Sequence, residues 1–200
     1  MIKYKNVLKS ILACYNCKII LWICNLKLYN IYKKIYRKEY VLAFKPRQDK
    51  RDLDEIKSHE TDYSIPAIYI DDLSEIKTHI KGKNIHTILI DEANMLTGDV
   101  SELVDLSVIC DIDFYIAGLN QNALQQPFGI MGDILAVSNS VTIFQGFCDE
   151  CNKPAEYSYY IGTEPLDRII ADDKMYRVLC AKCLKRKLVR DIRTQRRVLK

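Results

Sequence analysis

Thr87-Ile88-Leu89-Ile90-Asp91-Glu92 sets a run of β-branched and apolar residues directly against two carboxylates. With no polar face to give to water, the run reads as a strand buried on both sides, the pattern of a parallel sheet. The segments around it repeat that reading. Residues 67–70 form a strand pattern and 73–80 a helical one, while 100–110 is helical and 114–117 is again an apolar run. After a Gln/Asn-rich loop, a helix is expected near 130–136 and a strand at 141–144. Upstream, the short apolar runs 18–24 and 40–44 flank a segment in which Leu28, Ile31 and Ile35 recur at helical spacing. Strands alternating with helices predict an α/β domain over residues 1–145, its parallel sheet covered by helices on both faces.

The pattern stops at Gly146, where a different chemistry begins. Cys148-Asp-Glu-Cys151 and Cys180-Ala-Lys-Cys183 are two C-x-x-C turns separated by 28 residues. Each turn places two thiolates close together, and two such turns face to face complete the tetrahedral sulfur shell of a zinc site. Two unconnected pairs of buried or redox cysteines are the alternative. Cys14 and Cys17 have the same internal spacing but no second pair nearby, and Cys110 reads as a small core residue closing its helix. The expected second unit is a four-cysteine module over 146–184, followed by a basic tail over 185–200.

Composition narrows the classes further. The chain has 200 residues and a net charge of +4, enough for one well-buried domain carrying a small metal-stapled module. Its eight cysteines, without a charged-apolar-small leader, predict a reducing compartment, the cytoplasm. The apolar run 19–24 is far shorter than the roughly 20 residues a spanning helix needs, so no membrane partner is expected. The tail from Lys185 to Lys200 holds eight Lys or Arg and one acid, Asp191. It reads as a solvated helix or disordered tail, with contact to nucleic acid or anionic lipid as the alternative. It carries no aromatic residue for base stacking, which argues against nucleic acid.

Asp91 and Glu92 close a buried strand at its carboxyl end, where ligands sit in open α/β sheets. One carboxylate there can hold magnesium and the other can accept a proton from an attacking hydroxyl, as phosphoryl transfer requires. A strand ending in a polar turn is the plainer reading of that pair alone. The pair is not alone. Phe44-Lys45-Pro46 with Asp49 and Arg51, then Ser58-His59, Ile90-Asp91-Glu92-Ala93-Asn94, Gly118-Leu119-Asn120, Pro127-Phe128-Gly129 and the four cysteines follow in order. This series resembles the type II thymidine kinase family, the cellular, bacterial and poxvirus-like enzymes, over about residues 40–184.

The resemblance implies a P-loop-kinase-like domain with a zinc-anchored lasso, and phosphorylation of thymidine at its 5'-hydroxyl by ATP. It implies Glu92 as catalytic base and Asp91 as the magnesium-associated carboxylate. Met95, Leu119, Phe128 and Tyr176 fall on positions that surround the base and Ser158 on a threonine of the lasso, all five implied to bind substrate, and Cys148, Cys151, Cys180 and Cys183 fall on the ligands of a structural zinc. Zinc and magnesium with ATP are the implied cofactors, and a homo-oligomer, tetramer or dimer, the implied assembly. The role would be nucleotide salvage for DNA synthesis.

Departures are as specific as the matches. The family's first strand runs into a G-x-x-x-x-G-K-[ST] loop, yet this chain has no glycine before Gly82. After the expected strand at 18–23 comes Cys24-Asn25-Leu26-Lys27, which supplies a charge but no backbone cradle. Asn94 replaces a glutamine, Met95 an aromatic residue, and Ala123 another aromatic. Two further readings therefore stand beside the kinase: a catalytically silent relative that binds a nucleoside or a partner, and a nucleic-acid-binding zinc module. The last leaves the acidic strand end and Pro127-Phe128-Gly129 unexplained.

Overall fold

The computed structural model describes residues 10–14, 40–50, 54–57, 64–162 and 175–198. In chain order its first strands are β1 (Ser10–Cys14), β2 (Val41–Pro46), β3 (Glu55–Lys57), β4 (Ser64–Pro66), β5 (Ile68–Ile70), β6 (Thr87–Ile90), β7 (Asp113–Leu119) and β8 (Val141–Phe144). Six of them form one sheet in the order β5-β2-β6-β7-β1-β8, with every pairing parallel. β3 and β4 form a separate antiparallel hairpin between β2 and β5. The expected α/β fold with a parallel sheet is what the chain adopts.

Three helices, α1 (Ile76–Ile80), α2 (Ser101–Cys110) and α3 (Met131–Val137), carry the crossovers β5 to β6, β6 to β7 and β7 to β8. All three crossovers move the same way across the sheet, so right-handed connections place them on one face. The core agrees. Ile76, Leu103, Leu106, Met131 and Ile134 from the helices pack with Phe44, Ile88, Ile90, Phe114 and Ile116 from the strands. Ala43 and Leu89, which alternate onto the opposite face, are as thoroughly buried. The expected helix at 73–80 is a 3-10 turn, Leu73–Glu75, running into α1, started by a capping box between Asp72 and Glu75.

The strand expected at 18–24, the helix around Leu28, Ile31 and Ile35, and Arg51 with Ser58-His59 lie outside the described residues. The sheet position between β7 and β8 is filled by Ser10–Cys14, a strand the apolar runs did not single out. Cys14 is paired with Leu119 and Phe144. Cys110 is exposed, not a core residue.

Past β8 the chain forms β9 (Gly146–Phe147) with β10 (Pro154–Ala155), and β11 (Tyr157–Tyr160) with β12 (Tyr176–Leu179), both antiparallel. The helix α4 (Ala181–Val198) begins inside the second cysteine pair and continues through most of the basic stretch.

Candidate active site and metal centre

Because the sheet is parallel, β1, β2, β6 and β7 all end on one edge, and the acidic pair lies there. Asp91 is 3% exposed and Glu92 1%. The Asp91 N–H still donates to Phe44 O at 3.0 Å, prolonging the β2 ladder one residue past the strand. Glu92 then turns the chain with φ 50 and ψ 38, the left-handed region. A non-glycine residue pays roughly 1–2 kcal/mol there, a strain that persists where the surroundings over-determine the backbone and that gathers at functional sites. The Met95 N–H donates to Glu92 O at 2.9 Å, closing a 3-10 turn over Ala93–Met95 that leaves Met95 half-buried.

Asn94 holds this corner together. Its side chain is 2% exposed, and its Oδ1 accepts the Leu119 N–H at 2.8 Å, joining the end of β6 to the end of β7. Two glycines permit the approach. A Cβ on Gly118 would stand 2.9 Å from Asn94 Oδ1, and one on Gly129, at φ 53, would stand 2.2 Å from Asn94 O. Only glycine lets the Pro127-Phe128-Gly129 turn lie so close, with the Phe128 N–H on Asn120 O at 3.1 Å. Asp91, Glu92, Met95, Leu119 and Phe128, the positions the resemblance points to, thus belong to one set of interlocked turns. The shorter Asn94 side chain still reaches β7.

Ser158 and Tyr176 come from the β11–β12 hairpin. Register pairs Tyr160 with Tyr176 and Ser158 with Val178, so Ser158, Tyr160 and Tyr176 share one face. The two tyrosine rings lie 5.4 Å apart, and burial first, then Tyr160, raises the Tyr176 hydroxyl pKa above the ordinary tyrosine range. The hairpin is tied to the sheet by Gln125, whose Nε2 donates to Ala123 O at 2.6 Å and Ser158 O at 3.1 Å. Gln125 also holds a left-handed backbone, φ 58. Sequence reasoning passed over it, because nothing in a Gln/Asn-rich loop marks which amide bridges.

Several buried polar atoms here have no hydrogen-bond partner among the described residues: Asn94 Nδ2, Asn120 Oδ1, Gln121 Oε1, Ser158 Oγ and Tyr160 OH. Buried polar groups are otherwise almost always paired. Their concentration on the strand-end loops and the hairpin fits a polar ligand.

At the other end of that hairpin the four cysteines converge, all four sulfurs within 4.8 Å of one another. Zinc–sulfur bonds of about 2.3 Å in a tetrahedron require sulfur–sulfur edges of about 3.8 Å, and Cys151 Sγ lies 3.6 Å from Cys180 Sγ. The first turn is closed by Cys148 N–H on Lys153 O and Asn152 N–H on Cys148 O, each at 2.8 Å, with Asn152 left-handed at φ 54. Asp149 clamps it to β12, its N–H donating to Val178 O and its Oδ2 accepting from Val178 N–H, both at 2.8 Å. Burial alone would raise the Cys148 thiol, but N–H groups of Cys180, Glu150 and Cys151 outweigh it and bring the pKa down to about 6. Burial pushes Cys183 up to about 12. Arg186 Nη2 stands 3.0 Å from Cys183 Sγ and 3.0 Å from Glu150 Oε2. A cation there suits a four-thiolate shell, which keeps excess negative charge around a divalent metal. The donor set and its dimensions fit a closed structural metal site.

A family model described as thymidine kinase matches residues 25–184. The chain belongs to the thymidine kinase family. Thymidine kinases of known sequence align with parts of it. That of Aster yellows witches'-broom phytoplasma is 37% identical over 118 residues, 58% of this chain and 56% of the relative. That of Mycoplasma mobile is 26% identical over 92 residues, 46% of each chain. That of Raccoon poxvirus is 31% identical over 68 residues, 34% of this chain and 38% of the relative. The chain spans about half the length of the first two. Bacterial and poxvirus matches together bear out the resemblance to the type II thymidine kinase family. The family match starts at residue 25, beyond β1 and the segment that directly follows it.

Proposed function

We propose that the protein is a thymidine kinase that transfers phosphate from ATP to the 5'-hydroxyl of thymidine, with Glu92 as the general base. The observation that carries this reading is Glu92 itself, a buried carboxylate in left-handed backbone at the carboxyl end of a parallel strand, interlocked through Asn94 with Leu119 and Gly129. Glu92 takes the proton from the attacking hydroxyl. Asp91 would hold magnesium, which when bound neutralises phosphate charge. Met95, Leu119 and Phe128 wall the base, while Ser158 and Tyr176 approach it from the hairpin. Cys148, Cys151, Cys180 and Cys183 hold zinc, a structural ion pinning both ends of the lasso. The α/β domain runs to residue 145, the module spans 146–184, and residues 185–200 form the tail. We take the assembly to be a homo-oligomer, tetramer or dimer, and the setting to be cytoplasmic nucleotide salvage. No helix among the described residues is long and apolar enough to cross a membrane.

Glu92→Gln keeps the shape and removes the proton acceptor. Turnover with thymidine at fixed high ATP-Mg should fall by at least about a hundredfold, while thymidine affinity measured by calorimetry stays within a few-fold. Near-normal turnover in the variant would remove Glu92 from the mechanism. The absence of glycine before Gly82 favours a second reading, a relative that binds a nucleoside or a partner without turnover. Thymidine binding with no phosphorylation by the unaltered chain selects it.

Gln125 offers an independent check on the nucleoside site. Gln125→Gly tolerates φ 58 and deletes both side-chain bonds, the local one to Ala123 O and the bridge to Ser158 O. The Ala123 bond lies within the loop, so loss of the bridging bond, about 1 kcal/mol, should weaken thymidine binding roughly fivefold, with the bound metal unchanged. Unaltered thymidine affinity would show that the bridge does not position the hairpin.

A further inference from the structure

We propose that α4 lies on anionic membrane surfaces as a peripheral, in-plane helix. Its 18 residues include eight Lys or Arg and one acid, Asp191, and that acid is already engaged by the Tyr159 hydroxyl at 2.8 Å. The helix is held to the module by one side. Cys183 and Leu184 are buried, and Arg186 and Lys187 both reach Glu150. The other side is open. Leu188 is 42% exposed, Val189 38% and Ile192 52%, with Lys182 and Lys185 exposed beside them. At 3.6 residues per turn, Leu188 and Ile192 stack one above the other and Val189 lies about 100° round from Leu188. Apolar and cationic side chains therefore share the face that meets solvent.

That combination selects among occupants. A second copy would set two strongly cationic helices against each other. A nucleic acid would satisfy the cations through its phosphates but give Leu188, Val189 and Ile192 no counterpart, and residues 181–200 contain no aromatic side chain for stacking. An anionic bilayer takes both, headgroups facing the Lys and Arg residues and the acyl boundary receiving the apolar stripe.

The test uses the full chain, metal-loaded and reduced, sedimented with vesicles of phosphatidylcholine alone or mixed with phosphatidylserine. Binding should appear only on the anionic vesicles and weaken with salt. Lys182→Gln with Lys185→Gln should reduce it by about twenty-fivefold, at roughly fivefold for each cation near the surface. Leu188→Ser with Ile192→Ser should reduce it about tenfold at unchanged charge, with metal content and helical circular dichroism as controls on folding. A folded, metal-loaded chain that ignores anionic vesicles overturns the proposal. So does binding that survives the two serines at full strength, which leaves only surface charge and no seated helix, or binding that a single-stranded oligonucleotide displaces while itself binding more tightly, which assigns the helix to a nucleic acid.

Discussion

Cys151→Ser should release the metal from reduced, purified protein and disorder the β11–β12 hairpin, while the six-stranded sheet stays folded. The size of the effect follows from how little else holds the module. β11 and β12 are four residues each, and a lone two-stranded hairpin is marginal in water. The buried cluster beneath them is Cys148, Ala155, Val178, Leu179, Cys183 and Leu184, so two of its six members are themselves proposed ligands. A structural zinc contributes on the order of 10 kcal/mol to a small module, well beyond what Ala155 and three aliphatic side chains supply. The main core draws on none of these residues. Metal analysis should find one zinc per chain in the unaltered protein and little in the variant. Amide exchange should show protection lost across residues 157–160 and 176–179 and kept in β6 and β7. Reduced, purified protein that holds no zinc yet keeps a protected hairpin would end the zinc assignment.

The same contrast explains what could be read from the sequence. β2, β6 and β7 were legible because strands buried in a parallel sheet appear as unbroken apolar runs, and β8 carries such a run although Val141 and Ile143 are exposed at the sheet's edge. β1 was not, since Ser10-Ile11-Leu12-Ala13-Cys14 mixes small residues with only two aliphatic ones and lies near the stronger run at 19–24. The cysteine turns were legible because tetrahedral coordination dictates both residue type and spacing. Glu92 could be singled out as a carboxylate at a strand end, but its left-handed backbone could not, because glutamate has no preference for that region. The bridge from Gln125 to Ser158 spans 33 positions and depends on a turn geometry that no local pattern encodes. The β3–β4 hairpin was missed because its strands have three residues each, too few for alternation to show. The basic tail, read as a unit starting at Lys185, continues a helix that begins at Ala181, because the second cysteine turn also forms that helix's first turn.

ATP-Mg should bind this chain at least about a thousandfold more weakly than it binds an enzyme with a glycine-rich phosphate loop. Such a loop aims several backbone N–H groups at phosphate oxygens, and each hydrogen bond to a charged group is worth roughly 1.5–3 kcal/mol. Losing three of them forfeits at least about 4 kcal/mol, which is a thousandfold in affinity. The cradle needs residues that accept left-handed backbone and let the chain approach the anion without a Cβ in the way. None of the first 81 residues is glycine. The segment leaving β1 reads Tyr15-Asn16-Cys17-Lys18, and the one beyond the strand expected at 18–23 reads Cys24-Asn25-Leu26-Lys27. Either lysine brings a positive charge, and neither segment brings the nest. The nucleoside side is different in kind, since Asn94, Gly118 and Gly129 keep the corner around Glu92 closed. Calorimetry should therefore find thymidine binding retained and ATP-Mg binding weak or undetectable, with steady-state phosphorylation far below that of relatives carrying the loop. Tight ATP-Mg binding with ordinary turnover from this chain would show that another segment supplies the phosphate contacts and that glycine is not what the cradle requires here.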